Sequence, residues 1–404
     1  MYPDELYQLA FAFRKAKLWK SLRESELFAV ALPDGEIGYC RVMGSGGEHP
    51  ALALYVGNKG LDSFRLQQEA GGAEKQSLKA YEAMLSRDCL QCSFTCKDML
   101  TPDERTAVRA YASKHRLTLR GADAFPRFMS CRPVSEPWPI TDGKEIRFLC
   151  AALEAAMEVG ERVKGGDQIL SRFRTGPAYD RSVPLLAKSG GGFGWSLHPL
   201  PPKLPVRYPE PFLSDELLMA RLKKAKKRGG IWACDVILAL RPEQANDTPR
   251  LKYPYTLLAA DDETGQVFPT KVIPDLESGS EALLRALADR MLEHGIPREI
   301  TVTDERTYAL LKDLAAALKI ALTHREENDL LDELEADYLE VKTQPAGTLE
   351  EEVAGLNERL LALDDDAFLA MPDELWDHLC SLEQEGLLTE IAAYRLRALS
   401  KRRK

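Results

Sequence analysis

The stretch Ile231-Trp-Ala-Cys-Asp-Val-Ile-Leu-Ala-Leu240 decides the fold of the second half of this 404-residue chain. Nine of its ten residues are apolar, and such a short continuous run is typical of a strand that is covered on both faces. The exception is Asp235, whose carboxylate is costly there unless it is ion-paired, protonated or part of a functional site. We therefore predict a central buried strand, with Asp235 as the first candidate site residue.

The segments that follow this strand predict an α/β domain over residues 230–344, in the order βββαβαβα. A crossover helix leads to a strand that ends at Asp304 and runs parallel to the Asp235 strand, so both carboxylates are expected near the same edge of the sheet. We predict a mixed five-stranded sheet in which the Asp235 strand lies between the second strand and the strand that ends at Asp304. The expected elements are strands 231–240, 255–260, 266–273, 299–303 and 319–323, and helices 280–293, 307–318 and 326–338.

An N-terminal helix and an antiparallel meander are predicted for residues 1–130, as an α+β domain. The helix covers about residues 4–22, because its apolar residues recur at three- and four-residue steps. The segment Pro33-Asp-Gly-Glu36 has the chemistry of a hairpin turn between the first two of three strands. Residues 140–198 then add a helix, over residues 144–164, and a strand extension.

Two changes in composition divide the rest of the chain. Six prolines lie between Pro199 and Pro211, and they impose polyproline-like extension. We interpret residues 199–229 as a Pro-rich and basic linker, and the alternative is a ligand for a proline-recognising domain. The helical composition of residues 348–404 predicts a C-terminal bundle, which is a candidate surface for a protein partner.

Charge is unevenly distributed along the sequence. Residues 1–229 hold 35 Lys and Arg against 27 Asp and Glu, whereas residues 230–404 hold 19 against 36. The resulting charges of +8 and −17 suggest that the two parts attract each other, or that the basic part meets an anionic partner. The run Arg221-Leu-Lys-Lys-Ala-Lys-Lys-Arg228 is the candidate nucleic-acid contact, and a solvated helix face is the alternative.

The sequence also bears on location and on metal binding. No segment approaches the ~18 uncharged apolar residues of a membrane span, and Asp4 and Glu5 stand where a signal peptide needs positive charge. We expect a cytoplasmic protein with reduced thiols and no membrane partner. The spacing of Cys89, Cys92 and Cys96 suggests a metal or redox site, but zinc needs four ligands and no second pair follows. We interpret these residues as buried, inert thiols and expect no cofactor.

The layout of residues 230–340 resembles the ribonuclease H-like fold of transposases and retroviral-type integrases. Two phrases carry the resemblance, Leu257-Leu-Ala-Ala-Asp-Asp-Glu-Thr-Gly265 and His294-Gly-Ile-Pro-Arg-Glu-Ile-Thr-Val-Thr-Asp304. The resemblance implies two divalent metal ions, Mg²⁺ or Mn²⁺, that carboxylates hold for phosphoryl transfer. The matching positions are Asp235 on the first strand, Asp304 after the fourth, and either Glu333 or Glu335 on a later helix.

Two features separate this chain from such enzymes. Asp304 precedes Glu305-Arg-Thr307 instead of a small Asn-Gly-type turn, and the last helix offers several acids without singling one out. Residues 230–344 hold 12 Lys and Arg against 23 Asp and Glu, which is a poor surface for phosphate backbones. We therefore expect a degenerate domain that is used for binding or assembly. The alternative is a divalent-metal-dependent nuclease or a transposase-like phosphoryl transfer enzyme.

The chain as a whole is similar to a bacterial family of proteins described as domains of unknown function. The hairpin at Glu36-Ile-Gly-Tyr39 and the segment 257–265 are the recognisable stretches. This resemblance implies a multidomain bacterial protein and brings no activity, substrate or partner with it.

Overall fold

The computed structural model describes most of the chain. It covers residues 2–46, 49–70, 77–170, 181–189, 192–226, 229–244, 250–268 and 271–343, together with Trp376, Leu379, Cys380, Leu396 and Leu399. The chain divides into two compact units, Met1–Leu339 and Glu340–Lys404. Apart from the five separate positions, which are helical, the predicted C-terminal bundle over residues 348–404 lies outside the described residues.

Eight strands between residues 27 and 199 form the first sheet, in the spatial order β6-β5-β4-β3-β2-β1-β7-β8. Neighbouring strands are antiparallel, except that β1 and β7 are parallel. The strands are β1 (Leu27–Ala31), β2 (Ile37–Met43), β3 (Ala51–Val56), β4 (Cys89–Thr95), β5 (Phe125–Cys131), β6 (Trp138–Pro139), β7 (Ser182–Ser189) and β8 (Gly192–Pro199).

Helices cover both faces of this sheet. Residues of α1, α4 and α5 form the larger core with one face, and α2 covers a smaller core on the other. The helices of this region are α1 (Asp4–Ala16), α2 (Gly57–Ala70), α3 (Leu78–Leu85), α4 (Pro102–Lys114) and α5 (Gly143–Lys164).

Two expectations for the first region differ from the structure. Helix α1 is shorter than the predicted 4–22, because Lys17 adopts a left-handed conformation and its amide caps the helix on the carbonyls of Phe13 and Arg14. The predicted three-stranded meander is the centre of a larger sheet, since β4 pairs with the outer edge of β3 and β7 pairs with β1. The helix and the strands of residues 140–198 therefore belong to the same layered structure as residues 27–131.

Five strands form the second sheet, in the order β13-β12-β9-β14-β15. Strand β9 is antiparallel to β12 and parallel to β14, so it lies between these two strands as its sequence predicts. The elements are α6 (Glu216–Lys224), β9 (Ile231–Leu238), β10 (Glu243–Gln244), β11 (Leu251–Lys252), β12 (Tyr255–Asp261), β13 (Val272–Ile273), α7 (Leu276–His294), β14 (Glu299–Val302), α8 (Glu305–Leu318), β15 (Ala321–His324) and α9 (Asp329–Thr343), with β10 and β11 forming a separate ribbon.

The two faces of strand β9 meet different neighbours. Trp232, Cys234 and Val236 point into a large apolar core with α6, α7 and α8. On the opposite face, Ile237 packs against α3 of the first region and against α9. The first region therefore contributes part of the cover of the second sheet.

Strand β9 also separates from β14 after a short ladder. The two strands pair only from Ile231 to Ala233 on the β9 side, whereas β9 pairs with β12 along its whole length. The backbone groups of Val236 and Leu238 on the β14 side are bonded to side chains instead of a strand. This divergence opens the edge of the sheet next to Asp235.

The predicted linker over residues 199–229 is correct only in part, because Glu216–Lys224 form helix α6, which packs into the core of the second sheet. In the described part of the predicted linker, residues 200–215 contain no helix or strand. Backbone hydrogen bonds join the regions directly, from Glu136 N to Leu251 O at 2.9 Å and from Tyr253 N to Val134 O at 2.9 Å. Among the described helices, none combines the length and the apolar character that crossing a membrane requires.

Candidate functional site

Asp235 lies in the middle of β9 and is 1% exposed. Its Oδ1 accepts a hydrogen bond from the Thr303 amide at 2.9 Å, and its Oδ2 accepts one from the Thr303 hydroxyl. Burial raises the pKa of Asp235 to about 6, although both bonds from Thr303 oppose the shift. Thr303 directly follows β14, so the divergence of the strands leaves room for the carboxylate between them.

Asp304 begins helix α8, at the carboxyl end of β14. Its Oδ1 accepts a hydrogen bond from the Thr307 amide at 2.5 Å, so the residue acts as the N-cap. Its Oδ2 lies 3.1 Å from Nη2 of Arg306. Asp304 therefore has one structural role, at the start of the helix, and one electrostatic role, beside a cation.

Arg306 occupies the centre of the acidic cluster. Its guanidinium forms a two-pronged ion pair with Glu82 of helix α3, with Nη1–Oε2 and Nη2–Oε1 distances of 3.2 Å. It also donates to the carbonyl oxygen of Val236, and it lies over the ring of Tyr255, 5.7 Å from its centroid. Burial alone would lower the pKa of Arg306, but the carboxylates of Glu82 and Asp304 raise it above its ordinary value.

Glu82 completes the open edge of β9. Besides binding Arg306, its Oε1 accepts a hydrogen bond from the Leu238 amide at 3.2 Å. The Val236 amide donates to the hydroxyl of Thr307 at 2.7 Å. Side chains of α3 and α8 thus satisfy the backbone groups that a neighbouring strand would otherwise bind.

A cavity of about 150 Å³ lies beside these residues. Glu335 of helix α9 faces it, and within the described residues its carboxylate makes no hydrogen bond or ion pair. Burial raises the pKa of Glu335 to about 7, and the negative charges of Asp235 and Glu82 add to this effect. Charged or hydrogen-bonding side chains make up most of the lining, namely Lys79, Glu82, Tyr208, Thr303, Asp304, Arg306 and Glu335.

The structure separates the two helix acids that the sequence left open. Glu335 faces the cavity, whereas Glu333 is exposed and is absent from the cavity lining. Asp235, Asp304 and Glu335 are near enough for their charges to interact in pairs: Asp304 raises the pKa of Asp235, and Asp235 raises that of Glu335.

The side chains present do not fit a pair of divalent metal ions. The guanidinium of Arg306 bonds to Asp304, and Thr303 bonds to both oxygens of Asp235, so protein donors take the oxygens that metals would need. Across the described part of the chain, no group of three His, Cys, Asp or Glu side chains is arranged to hold a metal ion.

Several residues of the site were not predicted from the sequence, among them Glu82, Thr303 and Arg306. Arg306 carries a local signal, because a cation two residues after a helix-capping Asp can reach back to its carboxylate. Thr303 likewise lies beside Asp304. Glu82 carries none, since it is separated from Arg306 by 224 positions and only the packing of α3 brings it close.

The other sequence candidates lie apart from this cavity. Cys89 and Cys92 are buried as predicted and point to opposite faces of the first sheet, because residues three apart on a strand alternate in direction. The prediction of a buried thiol is wrong for Cys96, which follows the end of β4 and is partly exposed. In helix α6, which contains the start of the basic run, Leu218 and Leu222 are buried while Arg221, Lys223 and Lys224 are exposed, which is the pattern of a solvated helix face.

Two larger cavities lie in the first region. One, of about 340 Å³, is lined by Leu27, Leu61, Phe64, Arg65 and neighbouring residues, and the other, of about 350 Å³, by Tyr2, Tyr7, Glu104 and Ile140 among others. Neither lies near the carboxylates of the second sheet.

Comparison with known proteins assigns a family model to each sheet region. Residues 4–181 match the model described as domain of unknown function DUF7309, and residues 218–339 match domain of unknown function DUF6930. No curated protein matches the chain. The chain is therefore similar to two kinds of domain of unknown function, one over most of the first sheet and one over the second.

Proposed function

We propose that residues 231–339 form a degenerate ribonuclease H-like domain whose acidic site serves assembly instead of phosphoryl transfer. The sheet order supports the fold assignment. On one side of β9, strands β12 and β13 are each antiparallel to the preceding strand in the sheet, and on the other side, strands β14 and β15 run parallel to β9. The matching carboxylates also occupy comparable places, with Asp235 in the first strand and Asp304 after the fourth.

The ion pair between Arg306 and Glu82 is the observation that carries this proposal. Both side chains are largely enclosed, and the geometry is the two-pronged arrangement that fits a guanidinium to a carboxylate. Because Glu82 belongs to the first region, the cation of the second region binds α3 directly. The acidic site thus fastens the two domains to each other.

Charge supports a role in binding over one in nucleic-acid cleavage. The acidic balance of residues 230–344 opposes the approach of a phosphate backbone. Helix α3 and Tyr208 also line the cavity that contains Asp304 and Glu335. The alternative function, a metal-dependent nuclease, rests on the proximity of Asp235, Asp304 and Glu335.

A protein partner for residues 348–404 is a further proposal, outside the described residues.

A double-mutant cycle on Glu82→Gln and Arg306→Met tests the fastening role. We expect a coupling energy of at least about 1 kcal/mol in the free energy of unfolding, because each single variant leaves a partly buried charge without its partner. Glu299 and Arg325 supply the matched control pair, which is more exposed and 3.4 Å apart, and its coupling should be close to zero. Equal coupling in both pairs would contradict the proposal.

Thermal unfolding with millimolar Mg²⁺ or Mn²⁺ distinguishes assembly from catalysis. A ligand that binds the folded state raises its melting temperature, so we expect no metal-specific rise for the unmodified chain. A rise that Asp235→Asn abolishes, accompanied by metal-dependent cleavage of DNA or RNA that the same variant loses, would establish the enzymatic alternative.

A further inference from the structure

Cys89 and Cys131 form a pair of thiols in the first sheet. Cys89 is the first residue of β4, Cys131 is the last residue of β5, and the two lie directly opposite each other in the antiparallel register. The Cys131 thiol donates a hydrogen bond to Oε1 of Gln91, which follows Cys89 by two positions on the same face of β4, at 3.9 Å. Opposite residues of antiparallel strands have Cβ atoms about 4.5–5.5 Å apart, close to the separation that a disulfide needs. Formation of the bond therefore requires the ends of the two strands to approach each other.

Cations surround this pair of thiols. Arg87 precedes Cys89 by two positions, Arg132 follows Cys131, and Arg250 of the second region donates a hydrogen bond to the Ser130 carbonyl at 3.2 Å. The thiol of Cys89 and these cations lower the pKa of Cys131 to about 7, although burial opposes the shift. The contact with Cys131 and burial raise the pKa of Cys89, so Cys131 is the more acidic thiol of the pair.

Carboxylates hold one of these cations in place. Arg132 pairs with Asp88 at 2.8 Å and with Glu145 of helix α5. The positive charge of Arg132 is therefore fixed by groups on both sides, while another of the three cations, Arg250, comes from the other domain.

We propose that Cys89 and Cys131 are a modification site, at which a peroxide oxidises the two thiols to a reversible disulfide. The Cys131 thiolate attacks the O–O bond, which gives a sulfenic acid and releases hydroxide. The Cys89 sulfur then attacks the sulfenic sulfur, the S–O bond breaks, and hydroxide leaves as water after protonation. Two thiols and one hydrogen peroxide thus give one disulfide and two waters.

The other buried thiols lack this arrangement. Burial raises the pKa values of Cys40, Cys92 and Cys234 well above the ordinary thiol value, and that of Cys150 to about 12. Cys92 is the matched control, because it lies on the same strand as Cys89 but points into the opposite core. Oxidation is therefore expected at Cys89 and Cys131 before the other buried thiols. Both sulfurs of the pair are buried, so only a small oxidant reaches them.

The disulfide would form where the two domains meet. Two backbone hydrogen bonds of the segment that follows Cys131 cross the junction: the Val134 carbonyl accepts from the Tyr253 amide, and the Glu136 amide donates to the Leu251 carbonyl. A bond between β4 and β5 restrains the start of this segment. The oxidation state of Cys89 and Cys131 thus affects the contact between the two domains, which the proposed assembly role uses. The modification itself does not depend on that proposal.

Mass spectrometry of the full chain after brief treatment with hydrogen peroxide tests this site. Free thiols are alkylated before digestion, and trypsin releases Cys89 on peptide 88–97 and Cys131 on peptide 128–144. We expect a link between these two peptides that a dithiol reductant reverses, at least tenfold more abundant than any other cross-link.

Variants identify the sulfur on peptide 88–97, which also contains Cys92 and Cys96. Cys89→Ala should abolish the link and Cys92→Ser should leave it unchanged, with circular dichroism as the check that both variants fold. If the unmodified chain gives no link while its other thiols oxidise, or if the link persists in Cys89→Ala, the proposal is wrong. The first of these outcomes needs no variant, so the test does not depend on whether Cys89→Ala folds.

Discussion

The two edges of strand β9 differ in how their backbone groups are satisfied. On the β12 side, register pairs run without interruption from Trp232 to Leu238, whereas on the β14 side they end at Ala233. Strand β12 therefore closes one edge, while Arg306, Thr307 and Glu82 close the other. Polar and charged side chains gather where regular strand pairing ends, because the unpaired backbone groups and the open space both need to be filled. The candidate site is the result of that divergence.

Among changes at the two edges of β9, removal of the Arg306 guanidinium should lower the free energy of unfolding most. Arg306→Met keeps much of the apolar stem but removes the guanidinium that donates to Glu82, Asp304 and the Val236 carbonyl. We expect the free energy of unfolding, measured by denaturant titration, to fall by about 3–5 kcal/mol, as for other broken buried pairs. The matched change Arg325→Met, at a more exposed pair, should cost less than about 1 kcal/mol. Similar losses at both positions would mean that the open edge of β9 does not depend on Arg306.

Loss of the Thr303 hydroxyl should have a smaller effect. Thr303→Val keeps the size of the side chain and the amide donor but removes one of the two donors to the Asp235 carboxylate. We expect a loss of about 2 kcal/mol in the free energy of unfolding at pH 8, where Asp235 is ionised. The same change at Thr323 in β15 is the control. A neutral result at Thr303 would show that its amide alone is sufficient for Asp235.

Protonation of Glu335 should give stability a pH dependence. Because its pKa is raised from 4.5 to about 7 in the folded chain, the folded state binds more protons than the unfolded state between these values. The contribution of Glu335 to the free energy of unfolding is therefore fully present below about pH 4.5, and it is lost as the pH rises through 7. Glu335→Gln should flatten this decline and raise the free energy of unfolding at pH 8 by about 1 kcal/mol, after allowance for solvent screening.

Glu333→Gln is the matched control for that experiment, since Glu333 is exposed on the same helix and has no place in the cavity lining. It should leave the pH profile unchanged. If Glu333→Gln flattens the profile as much as Glu335→Gln does, the effect comes from the overall charge of helix α9 and not from the cavity.

The last prediction is the absence of an effect: the thiols of β4 should bind no metal. Elemental analysis of protein purified without oxygen should give substoichiometric zinc and iron, because Cys89 and Cys92 point to opposite sides of the sheet. One tightly held ion per chain that disappears in Cys92→Ser would overturn this prediction.

Local patterns in the sequence determined the elements and much of their order. The apolar run of residues 231–240 was enough to predict a central strand, and the alternation of strands and helices after it placed β14 beside β9. These features depend on near neighbours or on strong apolar periodicity, so a single sequence contains them.

Tertiary structure alone decided what the carboxylates do. The sequence placed Asp235 and Asp304 at one edge of the sheet, but it could not choose between Glu333 and Glu335, because both lie on an acidic helix and only packing turns one of them toward the cavity. Glu82 approaches Arg306 from another domain, and Cys131 meets Cys89 through a strand pairing 42 positions apart. Contacts between distant segments depend on how whole layers pack, and that packing decides whether a charge meets a metal, a proton or an opposite charge.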